Sequence, residues 1–406
     1  MQLIETPNLI VIKVALKILC VFLILHSGKS FATASSADFG SANDFGSHPD
    51  VCLPTDKVGQ PDGILPSHCN GLPMSVLRGA ARAVMKAIRV TEFGGPEVLK
   101  IEAKVPIPNP EDHQILVRVH ASGINPVDTY IRSGTHNIRP ALPFTPGMDS
   151  AGVVEKVGKA VTHFKPGDRV YSVRTVTGAY AEYAVVEEPY VAHLHKSLSF
   201  EQGAGIGVPY YTAYRSLILR ANGKPGETVL IHGASGGVGI AACQIARALG
   251  FTVLGTAGTT EGIELVLKNG AHKAFNHREK GYLSKITDAT NGQGPDIILE
   301  MLANVNLEND LNLIKTRGRI VNIGSRGTIQ ISPRFTMGKE CVVTGVMLMT
   351  SSPTDWAQMH GALRAGMEQG WLKPYIGTSY PLEQASQSHT EIMKDSGHKG
   401  KIILKS

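Results

Sequence analysis

Between Thr228 and Gly255 the chain carries residues whose types and spacing suit one piece of chemistry, the holding of a pyrophosphate. Ala234-x-Gly236-x-x-Gly239 follows a short apolar run, Thr228–Ile231, and opens an apolar-periodic stretch that ends near Gly250. A glycine at 236 lets the backbone approach the phosphates, and one at 239 lets a helix pack close to a strand. The start of that helix offers free N–H groups and a positive dipole end to the oxygens. A second apolar run, Phe251–Gly255, completes the strand–turn–helix–strand context that such a fingerprint needs. Read alone, the glycines would also suit a tight structural turn.

The residues that follow bear on which dinucleotide is held. NAD sites place an Asp or Glu about 20 residues after the glycines to hold the ribose 2′-hydroxyl. Here Val253–Thr260 reads VLGTAGTT, and the first acid is Glu261. Small and hydroxyl residues leave room for a 2′-phosphate, and His277 and Arg278 on a later segment supply positive charge. NADPH is therefore expected over NADH. The competing reading of His277 is an ordinary surface histidine.

The elements that must position these groups follow from hydrophobic patterning. Lys86–Val90, Val98–Ile101, Gln114–Ala121, Ala151–Val157, Arg169–Ser172 and Tyr180–Val186 read as short strands broken by Gly/Pro turns. They predict a small, barrel-like β-rich domain. Around Gly203–Leu219 the pattern turns helical. Strands at Val229–Ile231, Phe251–Gly255, Lys273–Phe275, Asp296–Leu299, Gly318–Ile323 and Cys341–Val346 then alternate with helices, the pattern of a doubly wound parallel sheet. A helix near Trp356–Gly370 and a last strand at Lys401–Leu404 are expected to rejoin the β-rich domain. The expected organisation is an extension over 1–84, a catalytic domain over 85–205, a dinucleotide domain over 206–345 and a return over 346–406.

Composition limits the other classes. With 406 residues the chain can bury two domain cores. A net charge of +6 permits an anionic ligand, but no Lys/Arg run resembles a nucleic-acid arm. Cys20, Cys52, Cys69, Cys243 and Cys341 form no C-x-x-C pair, which argues against a disulfide framework and a multi-cysteine zinc lobe. Leu9–Leu25 is apolar but broken by Lys13 and Lys17, and Ala32-Thr33-Ala34 follows it like a cleavage site, so this start has the pattern of a secretory signal peptide. Residues 35–73 are rich in Ser, Asp, Gly and Pro without periodicity and read as linker. Ser75–Arg82 is basic and free of acids and slightly resembles an organelle-targeting helix. The reading adopted is an extension that takes no part in the chemistry, with a cytoplasmic catalytic fold and no membrane partner.

From about Met85 onward the chain resembles the medium-chain dehydrogenases/reductases, and among them the zeta-crystallin branch of NADPH:quinone reductases. The resemblance is carried by EFGGPEVL at Glu92–Leu99, GINPVDTYIRSG at Gly123–Gly134, His232–Gly239, NHRE at Asn276–Glu279, EMLANVN at Glu300–Asn306 and GSRGT at Gly324–Thr328. It implies a GroES-like β-rich catalytic domain joined to a Rossmann domain. The extension has no counterpart in the family.

The resemblance also gives meaning to an absence. Zinc alcohol dehydrogenases of this superfamily have a Cys where Asn125 stands and His-Glu where Met148-Asp149 stand. Asn and Met are poor zinc ligands, so no metal is expected and oxidation of unactivated alcohols is disfavoured. A quinone needs mainly orientation and apolar stacking. The family implies Tyr130 as the residue next to cofactor and substrate, its phenol able to donate to a quinone or carboxamide oxygen, with Asn125 and Asp128 as positioners. It likewise implies Ser235, Gly236, Gly237, Val238 and Gly239 at the pyrophosphate, and Gly258 and His277 at the adenosine. Asn306 and Ile323, Gly324, Ser325 and Arg326 are implied beside the sheet's carboxyl edge, and Val346, Met347 and Leu348 at the nicotinamide carboxamide. An enoyl or alkenal double-bond reductase is the alternative enzyme. Binding of AU-rich RNA and a lens structural role are implied by family alone. A dimer or tetramer through the apolar edge Cys341–Met349 is also expected.

Overall fold

A computed structural model describes residues 83–394 and 399–406. All of these fall in one compact unit, Ser75–Ser406. The signal-like run Leu9–Leu25, the cleavage-like Ala32–Ala34, the linker 35–73 and the basic Ser75–Arg82 lie outside the described residues.

The first strands are β1 (Val84–Arg89), β2 (Lys100–Pro106), β3 (Gln114–Ile124), β4 (Asp149–Val157), β5 (Arg169–Ser172), β6 (Tyr183–Glu187) and β7 (Val191–His193). β1 and β2 form an antiparallel pair. The run read as a strand from Val98 instead begins as a 3-10 turn, Pro96–Val98, because the fixed φ of Pro96 suits the first position of a turn. β3 is the spine of this lobe: β4 and β6 both pair with it antiparallel. Its alternating Ile115, Val117 and Val119 are buried, as in a half-buried strand.

The second series is β8 (Thr228–Ile231), β9 (Thr252–Ala257), β10 (Lys273–Asn276), β11 (Ile297–Glu300), β12 (Arg319–Asn322) and β13 (Val342–Gly345). These strands form a six-stranded parallel sheet in the order β10-β9-β8-β11-β12-β13. Strands of such a sheet are covered on both faces, which explains why Val229–Ile231 and Ile297–Leu299 are uninterrupted apolar runs, all fully buried. The order reverses between β8 and β11, and a crevice at the carboxyl ends of those two strands is where open α/β sheets bind ligands.

The tail closes the molecule. β14 (Ile376–Pro381) and β15 (Lys401–Lys405) extend the first lobe's sheet to the order β14-β15-β3-β4-β5-β7. The helix Pro353–Gln369 packs Trp356, Met359, Leu363 and Met367 at helical spacing into the core. Ser352 caps it by accepting the Asp355 N–H at 3.1 Å. One apolar core runs from Tyr171 and Val173 of the first lobe through Tyr210 and Tyr211 to Val229 and Ile231 of the parallel sheet. The lobes are thus joined by shared packing beneath the crevice.

Candidate active site

The glycine turn has the local geometry its sequence demands. Gly236 caps the helix Gly237–Ala248 in an extended conformation, and no side chain satisfies the first N–H groups of that helix. A Cβ on Gly239 would lie 2.5 Å from Ala234 Cα, so helix and strand can approach only through a glycine. A Cβ on Gly237 would meet nothing closer than 3.5 Å, and Gly236 nothing closer than 3.4 Å. Gly239 therefore serves packing, whereas the space at Gly236 and Gly237 is open to a ligand. A free helix start beside open space fits a pyrophosphate.

At the end of β9, Gly258 faces two basic side chains. A Cβ there would lie 2.9 Å from His277 Nε2 and 3.0 Å from Arg278 Nε. Burial, then Arg278, then His232 lower the pKa of His277. Its imidazole is thus a neutral group beside the Arg278 guanidinium. Gly258 and His277 do not line the main cavity; they stand just past the carboxyl ends of β9 and β10. The small residue and the guanidinium suit a phosphate on the ribose.

The opposite wall comes from the loop after β3. Asn125 precedes the helix Pro126–Ser133, with Pro126 at its first position. The Asp128 carboxylate accepts the Asn125 N–H at 2.8 Å, closing the start of the helix. Asp128 also accepts from Tyr180 Oη at 3.1 Å. It is buried and does not line the cavity, so it acts behind the loop. Burial first, and then the nearby Asp149, push its pKa up to about 7. The Asn125 amide donates to Asp149 Oδ2 at 2.9 Å, and the Lys401 ammonium reaches Asn125 Oδ1 at 2.5 Å and Asp149 Oδ2 at 3.0 Å. Asp149 Oδ1 accepts the Val208 N–H at 2.8 Å.

Between these walls lies a cavity of about 440 Å³. It brings together Asn125, Tyr130, Gly237, Val238 and Gly239 with Ile323–Arg326 and Val346–Leu348. The remaining lining is largely apolar, including Ile124, Met148 and Met301. Ser235 and Gly236 flank the turn outside this lining. The Ser235 carbonyl accepts the Gly400 N–H at 2.8 Å. Asn306 stands on the helix Ala303–Leu313 and donates to Glu300 Oε1 at 3.2 Å, away from the cavity.

Three groups escaped sequence reasoning. Lys401 enters the site from the last strand, 276 residues from Asn125. His232, directly before the glycine turn, is fully buried with Glu300 and Asp310 beneath the crevice, 3.0 Å from Asp310 Oδ1. Burial opposes charge on His232, but its two acidic neighbours outweigh burial and raise its pKa. Burial holds Glu300 above the usual carboxylate range. Tyr180 and His389 meet at 3.0 Å behind the loop that follows β3. Only His232 left a signal, a polar residue inside an otherwise apolar strand end.

The comparisons with known proteins agree with this geometry. Residues 111–196 match the alcohol dehydrogenase GroES-like domain, and residues 237–365 match the zinc-binding dehydrogenase family. The chain is 58% identical to the quinone oxidoreductase of Sus scrofa over 321 residues, covering 79% of this chain and 98% of that one. The Homo sapiens quinone oxidoreductase is 56% identical over the same length and coverage. Among solved structures, the Escherichia coli quinone oxidoreductase complexed with NADPH superposes with a TM-score of 0.72 at 32% identity, covering 79% of this chain and all of that one. A parallel-sheet lobe with an open glycine turn, a GroES-like lobe facing it and relatives matched over nearly their whole length lead to one assignment: the chain belongs to the quinone oxidoreductase family of medium-chain dehydrogenases/reductases.

Proposed function

We infer that the protein is an NADPH-dependent quinone reductase. The observation that carries this reading is the cavity between the lobes, apolar on most of its surface, with the pyrophosphate turn on one wall and the Asn125–Tyr130 loop on the other. NADPH bound there supplies the reducing equivalents. The residues of this chain bind it, orient the acceptor and exclude water.

Residue roles follow from position. Ser235–Val238 would hold the pyrophosphate, with Gly239 bringing the helix close enough to present them, Gly258 and His277 the adenosine, and Ile323–Arg326 and Val346–Leu348 the nicotinamide half. Asn306 would act at one remove, by bracing the Glu300 end of β11. Tyr130 is half-buried in the cavity wall, where its phenol can donate to the acceptor. Asn125 and Asp128 hold the loop that carries it. In these terms residues 85–205 and 346–406 serve as the catalytic domain and 206–345 as the cofactor domain.

We read the site as zinc-free on its donor set. Asn125 and Met148 are poor zinc ligands, and the Asp149 carboxylate is engaged by Lys401. A cytoplasmic setting is supported by the two free thiols of the described unit, Cys243 and Cys341, which suit a reducing compartment. Among the described residues no helix is long and apolar enough to cross a membrane. The edge strand β13, with Val342 and Met347 exposed nearby, supports pairing with a second copy of this chain. An RNA partner draws no support from the charge pattern.

The test is turnover by the purified unit from Met85 to Ser406, following NADPH and NADH oxidation with an ortho-quinone, with and without a chelator. Fast NADPH turnover, slow NADH turnover and indifference to chelator are expected. Chelator-sensitive alcohol oxidation would overturn the reading.

A further inference from the structure

Lys401 opens β15 in the first lobe's sheet, and its side chain stays in that lobe, lining the cavity with its stem beside Gly237 of the glycine turn. The neighbouring Gly400 N–H is bound to the Ser235 carbonyl of the glycine turn at 2.8 Å, and Gly236 bridges Gly400 in parallel. The Lys401 ammonium lies between Asn125 Oδ1 and Asp149 Oδ2. A Cβ on Gly123 would stand 2.7 Å from Lys401 Cε, so the strand gives way to the lysine stem with a glycine. The residue is 4% exposed, yet it lines the cavity beside Asn125, Met148 and Gly237.

A buried ammonium is costly unless it is paired. Asp149 supplies the pairing, but Asp149 also serves the Val208 N–H and the Asn125 amide. An ammonium has three donors, and two are taken by Asn125 and Asp149. Acids near it are Asp149, in direct contact, and Asp128, behind the loop. The other basic groups of the lining, His136 and Arg326, are not buried as Lys401 is. The one buried cation of the cavity thus has a donor left and an apolar chamber in front of it.

We propose that Lys401 is a catalytic residue for quinone reduction, its ammonium donating to the acceptor oxygen on which negative charge develops. The proposal rests on the quinone reductase reading. The quinone gains a hydride from NADPH and becomes the hydroquinone monoanion, leaving NADP+. Lys401 keeps its proton, and the proton that completes the hydroquinone comes from water. A preplaced donor in a water-poor cavity acts where charge appears during the reaction and needs no reorganisation.

The test uses the full chain, wild type and Lys401→Met, with Lys401→Arg as a charge-keeping control. Removing a donor of this kind lowers kcat on the order of 100-fold. NADPH affinity by fluorescence titration should stay close to that of the wild type, since the polar contact to the turn is made by the Gly400 N–H and a methionine keeps an apolar stem beside Gly237. Lys401→Arg should recover part of kcat. A second readout needs no turnover: 4-nitrocatechol with NADP+ should bind to the wild type as its coloured anion at a pH where free probe is neutral, and this shift should vanish in Lys401→Met. Loss of NADPH affinity in step with the loss of kcat would mean a structural role and overturn the proposal. So would a wild-type complex that binds the probe without the shift, which also decides the matter if Lys401→Met does not fold. Wild-type inactivity toward every quinone would overturn the functional reading itself, whereas an active wild type matched by Lys401→Met would overturn only the role of Lys401.

Discussion

Tyr180 Oη donates to Asp128 Oδ2 at 3.1 Å and meets His389 Nε2 at 3.0 Å. The direction of this chain is fixed by its far end. Arg132 Nη1 can only donate, so His389 Nδ1, 3.2 Å away, accepts and Nε2 carries the proton. His389 therefore donates to Tyr180, and Tyr180 donates to Asp128. Burial, then Arg132, keep His389 neutral by lowering its pKa to about 3. A one-way chain from the C-terminal helix Ala385–Ile392 thus holds the loop that bears Asn125 and Tyr130.

Replacing Tyr180 by Phe breaks that chain in the middle. Two buried groups lose a partner at once, and a buried polar group left unmade costs about 1–3 kcal/mol. Urea unfolding of Tyr180→Phe should show a loss of that size. KM for the quinone should rise more than the NADPH dissociation constant, because the loop faces the acceptor. Unchanged stability would show that water or a neighbour replaces the phenol.

Asp128 makes stability depend on pH. Its folded pKa is about 7, above the ordinary carboxyl value of 3.8. Between those values the folded protein holds a proton that the unfolded chain has lost, so stability is greatest below the lower value and falls as pH rises to about 7. The slope for one proton is at most about 1.4 kcal/mol per pH unit. Asp128→Asn cannot titrate, so its stability should be flatter than that of the wild type from pH 5 to 7. Parallel profiles for the two proteins would place the titration elsewhere, with Glu300 the next candidate.

The glycine turn separates packing from binding. A methyl group on Gly239 would press on Ala234 Cα, which is backbone, so the helix must move. Gly239→Ala should destabilise the fold by about 1–3 kcal/mol, the usual cost of overpacking, and weaken NADPH binding. Gly237→Ala has room in the protein and should melt near the wild-type temperature, while NADPH binding weakens because the methyl group takes ligand space. Equal melting losses for both would contradict this division.

Much of this was legible in the sequence because it is local. The βαβ unit, the parallel sheet and the glycine turn rest on periodicity and glycines within a few tens of residues. The loop around Asn125 was also visible, since Pro126 and Asp128 form a helix start within four positions. What could not be read was long-range. Lys401 is a basic residue opening an apolar strand, with nothing to show that it ends 252 residues away on Asp149. Asp128 was read as a positioner, but spacing along a short helix start does not tell which side its carboxylate turns to. Tyr180 supplies that answer from another strand region. Strand ends differed by up to five residues, most at the carboxyl end of β2, where the ladder with β1 runs on to Pro106.

The preference for NADPH over NADH should reside in the basic pair beside Gly258. Arg278 Nε and His277 Nε2 crowd the space that a Gly258 Cβ would fill, at the carboxyl end of β9 where the adenosine ribose is expected. A guanidinium pairs strongly with phosphate, and a charged hydrogen bond contributes about 1.5–3 kcal/mol. Arg278→Ala should therefore raise KM for NADPH roughly 10- to 100-fold, by the conversion of that energy, and leave NADH almost unaffected. Because His277 is held neutral, His277→Ala should cost less. The discrimination should also shrink with added salt, since the pair is near the surface. A loss shared equally by NADPH and NADH would show that the two residues shape the adenosine pocket rather than read its phosphate, and the choice of cofactor would then have to come from the Thr256–Thr260 segment itself.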